Sequence, residues 1–204
     1  MTTTNAGPSM RVISYNVLSE RLCRREEYFC CEQKHLATHH RHATIEAILA
    51  REVAELTVIC LQEAGDAPYV LAGDFNFDPS SSTYSLLTTG NLPPSSEDYP
   101  HAPKVAHGRP SKWTPAVAPL RSAYVEATGS EPEFTNHATT RLARTAEVKT
   151  FTATLDYIFI SPHWEASRCL PTLSRKALAA VKSFPSATEP SDHVAIGCSL
   201  STTA

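Results

Sequence analysis

Apolar residues along this chain come in short clusters separated by polar and proline-rich stretches. Residues 11–18 (RVISYNVL) are rich in β-branched and aromatic side chains and predict a strand that ends near Asn16, a poor strand former. Residues 44–53 carry apolar side chains at helical spacing and predict a helix that begins within the polar stretch 20–42. Residues 56–61 (LTVICL) predict a second strand, which runs straight into Gln62-Glu63. Tyr69-Val70-Leu71-Ala72 leads into Gly73 and predicts a short buried strand ending in a tight turn. That turn presents Asp74 and Asn76, and residues two apart in extended backbone point to the same side. After a Pro/Ser run, residues 83–87 predict a short helix, and residues 91–120 read as a proline-rich surface excursion. Order resumes at Arg121-Ser122-Ala123-Tyr124, and Phe134-Thr135-Asn136 precedes another irregular stretch. Residues 154–160 (TLDYIFI) predict a strand with Asp156 inside it, and Asp192-His193 opens a last strand through Val194-Ala195-Ile196.

Length and composition bound this picture. The 204 residues suit one domain, and 42% hydrophobic residues supply a core. The expected organisation is a disordered lead over 1–9 and a domain over 10–200. A net charge of −3 excludes an overall basic field, so any nucleic-acid binding has to come from a local patch. No stretch is long and apolar enough to span a membrane, and the polar N-terminus lacks the apolar segment of a secretory signal. Six cysteines without framework spacing predict reduced thiols and a cytoplasmic location, with the nucleus allowed.

The candidate chemistry lies at strand ends. Asn16 and Glu63 each end a predicted strand and offer oxygen to a metal ion; the plainer readings are a turn residue and a solvated terminus. Asp74 can accept a proton or hold a metal-bound water, and Asn76 can hold a phosphoryl oxygen through its amide hydrogens. Asp156 sits in a strand, where Asp is disfavoured, and a buried carboxylate needs a cation or a histidine. Asp192-His193 supplies a histidine, and a carboxylate on one imidazole nitrogen fixes the tautomer and raises the basicity of the other. Cys23, Cys30, Cys31, His35, His39, His40 and His42 cluster in sequence, but their spacing fits no zinc pattern, and no structural zinc is expected.

Taken in order, Ser14-Tyr15-Asn16-Val17-Leu18, Leu61-Gln62-Glu63, Gly73-Asp74-Phe75-Asn76, Leu155-Asp156-Tyr157-Ile158-Phe159 and Pro190-Ser191-Asp192-His193 resemble the endonuclease/exonuclease/phosphatase superfamily. The resemblance is to its poly(A)-deadenylase-like branch, with further agreement at Arg41, Ser122-Ala123-Tyr124 and Phe134-Thr135-Asn136. It implies an α/β fold, a four-layered sandwich of two packed mixed sheets flanked by helices, with an active site at strand ends around Mg²⁺ or Mn²⁺. It implies Glu63 as principal metal ligand with Asn16 beside it and Asp192 as a nearby metal-shell carboxylate. It further implies Asp74 orienting the attacking water, Asn76 holding a phosphate oxygen, and His193, oriented by Asp156, stabilising the transition state.

One departure bears on function. In the family a far longer segment, carrying central strands and a phosphate-facing histidine, separates the Leu-Gln-Glu and Gly-Asp-Phe-Asn strands. Here only residues 64–73 lie between Glu63 and Asp74, and residues 64–68 span the whole gap. The expected fold is therefore truncated by loss of central strands. The expected function is Mg²⁺-dependent phosphodiester hydrolysis on poly(A)-like RNA, as a 3′-exonuclease of the deadenylase type. The alternatives are a phosphomonoesterase on a nucleotide or inositol phosphate, and a non-catalytic remnant that binds or regulates.

Overall fold

The computed structural model describes residues 9–52, 68–99, 118–142 and 144–203. Most of the expected lead, the expected strand at 56–61, Glu63, most of the short link after it and residues 100–117 of the excursion lie outside the described residues.

The chain folds as an α/β structure in which every strand pairing among the described residues is antiparallel. One sheet has the order β1 (Ser9–Ser14), β8 (Ile196–Thr202), β7 (Trp164–Ser167). A second has the order β2 (Val70–Asp74), β6 (Asp156–Ile160), β3 (Arg121–Ser122). A hairpin of β4 (Asn136–Arg141) and β5 (Val148–Ala153) stands beside them. Among the described residues no strand pairs the outer edge of β1 or of β2.

Strand alternation builds the layers. Ile158 and Ile160 of β6 face Ile196, Cys198 and Leu200 of β8, and this core takes in Trp164 and the Ala123 and Tyr124 side chains of α4 (Ala123–Thr128). Tyr157 and Phe159 point the other way, onto Phe75, Phe77 and the Tyr84 and Leu87 side chains of α3 (Ser82–Thr89). Ser81 caps α3 by accepting from Tyr84 N, and Gly90 ends it at φ 66°, a left-handed turn that suits glycine. In the first third of the chain, α1 (Gln33–Leu36) and α2 (Thr38–Glu52) follow a turn-rich stretch whose Tyr28 and Cys31 pack with Leu18 and Ala138. No described helix is long and apolar enough to cross a membrane.

Four local expectations change. The first strand stops at Ser14, so Asn16 lies in the loop beyond it. The last strand starts at Ile196 rather than at Asp192, because Ser191 Oγ accepts from His193 N at 3.2 Å and Val194 N donates to Thr135 O at 2.8 Å, which draws this segment to the neighbouring loop. The stretch after Asn136 is a hairpin and not irregular; threonines on both strands, such as Thr139 and Thr150 with hydroxyls 2.9 Å apart, blur the apolar alternation while favouring extended backbone. Cys169 and Cys198 form a disulfide rather than remaining thiols, since Leu170 N donates to Gly197 O and holds the segment after β7 against β8.

Candidate active site

The register of β2 with β6 places Asp74 directly opposite Asp156. Both carboxylates therefore stand at the same end of one sheet, where β2 ends and β6 begins. The loop after β1 brings Asn16 to them, and its Nδ2 donates to Asp74 Oδ2 at 3.0 Å across 58 positions of sequence. The loop before β8 brings His193, held by an isolated antiparallel bridge to Asn136. His193 Nδ1 lies 2.6 Å from Asp156 Oδ2, and its Nε2 lies 3.7 Å from Asp74 Oδ2. Ligand-capable atoms of Asp74, Asp156 and His193 all lie within 4.8 Å of one another.

Burial sets the electrostatics. Asp156 is 1% exposed and His193 5%, while Asp74 is half-buried. Burial alone would push the imidazole down. The hydrogen bond to Asp156 and the charges of Asp156, Asp192 and Asp74 outweigh it, so His193 holds its proton above the usual imidazole range. Asp156 is fixed from below: Thr135 Oγ1, fully buried, accepts from the backbone N–H groups of both Leu155 and Asp156. Its Oδ1 is buried and has no hydrogen-bond partner among the described residues.

The other expected residues are placed as follows. Asn76 takes a left-handed φ of 54° and donates its backbone N–H to Asp74 Oδ1 at 2.9 Å, leaving its side chain exposed beside the carboxylate. Asn16 turns its Oδ1 to its own backbone, accepting from Leu18 N at 3.0 Å. Asp192 does not join the compact group. Its Oδ2 accepts from Tyr28 Oη at 2.9 Å, though its charge still acts on His193. Glu63 lies outside the described residues. The cysteines and histidines of the stretch 20–42 form no converging group of three donors there.

Tyr28 and Thr135 escape sequence reasoning as site-building residues. Both act through hydrogen bonds to groups far along the chain, and a hydroxyl in a sequence says nothing of its partner. Arg41 left a clearer signal. It sits at i−4 and i−7 from Ile45 and Ile48 of α2, an arginine on an otherwise apolar stripe, and it is 2% exposed.

The cluster can hold a proton on an imidazole, take one on a half-buried carboxylate and present oxygens to a hard cation. Two carboxylates facing each other, one with an unpartnered buried oxygen, fit a divalent metal ion.

The family model described as "Endonuclease/Exonuclease/phosphatase family" matches residues 64–193. The human 2′,5′-phosphodiesterase 12 is 27% identical over 176 residues, covering 84% of this chain and 26% of that protein. The carbon catabolite repressor protein 4 homolog 4 of Arabidopsis thaliana is 35% identical over 130 residues, covering 63% of this chain and 25% of the relative. This chain thus spans between 16% and 26% of the length of these curated relatives and others like them. The solved structure of ANGEL2, a 2′,3′-cyclic phosphatase, superposes with a TM-score of 0.67 at 16% identity over 98% of this chain and 97% of that one, a likeness of fold. With the family model matching well over half of its length around the Asp74–Asp156–His193 cluster, this chain belongs to the endonuclease/exonuclease/phosphatase family.

Proposed function

We propose that this chain is a metal-dependent phosphodiester hydrolase acting on RNA, a 3′-exonuclease of the deadenylase type. The observation that carries the reading is the meeting of Asn16, Asp74, Asp156 and His193, from four separate segments, at one sheet end. Relatives named a 2′,5′-phosphodiesterase and a 3′-5′-exoribonuclease support a phosphodiester substrate.

Each residue has a role that its surroundings favour. Asp156 holds His193 Nδ1 and so fixes which nitrogen faces the cleft. His193, with its proton affinity raised, keeps a proton at Nε2 to offer a phosphoryl oxygen as negative charge gathers there. Asp74 Oδ2 accepts the proton of the attacking water, while Asn16 Nδ2 and the Asn76 N–H keep the carboxylate from turning away. The exposed Asn76 amide holds a phosphate oxygen. Asp74 and Asn16 would hold Mg²⁺ or Mn²⁺, with Glu63, outside the described residues, as the expected principal ligand and Asp192 as a metal-shell carboxylate. When bound, the ion neutralises phosphate charge and lowers the pKa of a coordinated water.

The short link between Glu63 and Asp74 favours a second reading, a non-catalytic RNA- or nucleotide-binding remnant. The test is incubation of the chain with Mn²⁺ and, separately, oligo(A), 2′,5′-linked oligoadenylate and a panel of nucleotide and inositol phosphates. Mononucleotide release from oligo(A) supports the proposal. Phosphate release from the panel alone overturns the exonuclease assignment, and binding of oligo(A) without turnover establishes the remnant.

A further inference from the structure

The loop that carries Asn16 and the loop that carries His193 belong to opposite ends of the chain. No strand ladder joins them at the site, because β1 has ended at Ser14 and β8 does not begin until Ile196. The β1–β8 ladder ends at its Ser14–Ile196 pair, two residues before Asn16 and three after His193, so beyond it the two loops are held to each other by side-chain contacts. Arg41, from the first turns of α2, lies between them and is 2% exposed. Its Nε donates to Pro190 O at 2.8 Å, two residues before Asp192. Its Nη2 donates to Val17 O at 2.6 Å and also to Leu18 O. Leu18 takes a left-handed φ of 50°, uncommon for a residue with a branched side chain, and the guanidinium satisfies the carbonyls that this turn directs inward. Ser191 adds a second tie, its Oγ donating to Asn16 O.

We propose that Arg41, seconded by Ser191, is a positioning residue: a clamp that fixes the Asn16 loop against the Asp192–His193 loop and thereby sets the separation of the Asn16, Asp74 and His193 side chains. The proposal rests on the hydrolytic reading of that site for its consequence in catalysis, but its geometric content stands apart. A guanidinium is suited to the task because its fixed fork reaches two backbones at once. Lysine keeps the charge, but its one compact ammonium cannot reproduce the spread of the fork that reaches Pro190 O from Nε and Val17 O from Nη2. Supports of this kind typically cost about 10–100-fold in metal affinity or activity when lost, and a displacement of about 1 Å can cost on the order of a hundredfold in rate.

The experiment compares the wild-type chain with Arg41→Lys and, independently, Ser191→Ala. Circular dichroism and thermal melts establish folding. The ¹H–¹⁵N resonances of the Asn16 side-chain amide, which donates to Asp74, report site geometry without metal or substrate. Mn²⁺ titration and kcat and KM on oligo(A) follow. The expected result is a folded Arg41→Lys protein with a displaced Asn16 amide resonance, Mn²⁺ affinity lowered about tenfold, and kcat lowered by about 10–100-fold with KM little changed. A folded Arg41→Lys protein whose Asn16 amide signal and Mn²⁺ affinity match the wild type overturns the clamp. Should Arg41→Lys not fold, Ser191→Ala decides: a displaced amide signal supports the clamp, and an unchanged one overturns it. If the wild type itself hydrolyses nothing, the proposed function fails while the amide resonance still settles the role of Arg41.

Discussion

His193 and Asp156 lie 37 residues apart in the chain and meet through a hydrogen bond of 2.6 Å, Nδ1 to Oδ2, at a point where both are almost wholly buried. The pair raises the imidazole's hold on its proton and aims the other nitrogen at Asp74. Replacing Asp156 with Asn keeps the shape and removes the charge. The variant should fold and lose about 10²–10⁴-fold in kcat, in line with what such carboxylate-to-amide changes cost where a histidine's state is essential. Circular dichroism together with a hydrolysis assay at neutral pH checks both halves.

A ligand that binds only the folded state stabilises it by mass action, by about 2.7 kcal/mol at a hundred times its Kd. Mn²⁺ should therefore raise the melting temperature of the wild-type chain. The rise should vanish in Asp74→Ala, which removes the half-buried carboxylate facing Asp156. Differential scanning fluorimetry with and without EDTA measures it. An equal rise in the variant would place the ion elsewhere.

Glu189 carries a pH dependence of its own. Burial pushes its carboxyl up to about 7, and Tyr15 Oη donates to its Oε1 at 2.6 Å. A group whose folded pKa is raised contributes stability that is complete below its unfolded pKa and is lost as pH rises through the folded value. For Glu189 that window runs from the ordinary carboxylate range up to about 7. Glu189→Gln keeps an acceptor for Tyr15 without the buried charge. Relative to wild type it should gain on the order of 2 kcal/mol between pH 4 and pH 8. Urea unfolding across that range tests it, and a parallel pair of curves would refute it.

The parts of the site legible in the sequence are those where a residue contradicts its local surroundings. Asp156 inside an apolar strand and Asp74 after Gly73 stand out because strands disfavour Asp. A carboxylate in such a place announces a partner, and β2 pairing with β6 brings the two face to face. The apolar strand β6 is legible too, whereas the last strand was expected to open at Asp192 and opens at Ile196. The β4–β5 hairpin was hidden because its half-covered faces carry threonine in both registers, so alternation of polarity is weak although the backbone preference is strong. The clamp was hidden because Arg41 binds backbone carbonyls of Val17, Leu18 and Pro190, which every residue possesses and no side-chain identity reveals. Asp192 reads in sequence as part of the same dipeptide as His193, yet neighbours in a turn point apart, and Tyr28 takes its carboxylate.

The measurement that bears most directly on the assembled site is product analysis of oligo(A) incubated with the 204-residue chain in Mn²⁺, in Mn²⁺ with excess EDTA, and in Mn²⁺ with His193→Ala in place of the wild type. Losing one transition-state donor costs about 10²–10³-fold. The predicted result is release of mononucleotides from the 3′ end by the wild type, abolished by EDTA and lowered by at least about a hundredfold in His193→Ala. Turnover that survives EDTA, or a His193→Ala rate equal to the wild type, would contradict a hydrolytic centre built on Asp74, Asp156 and His193.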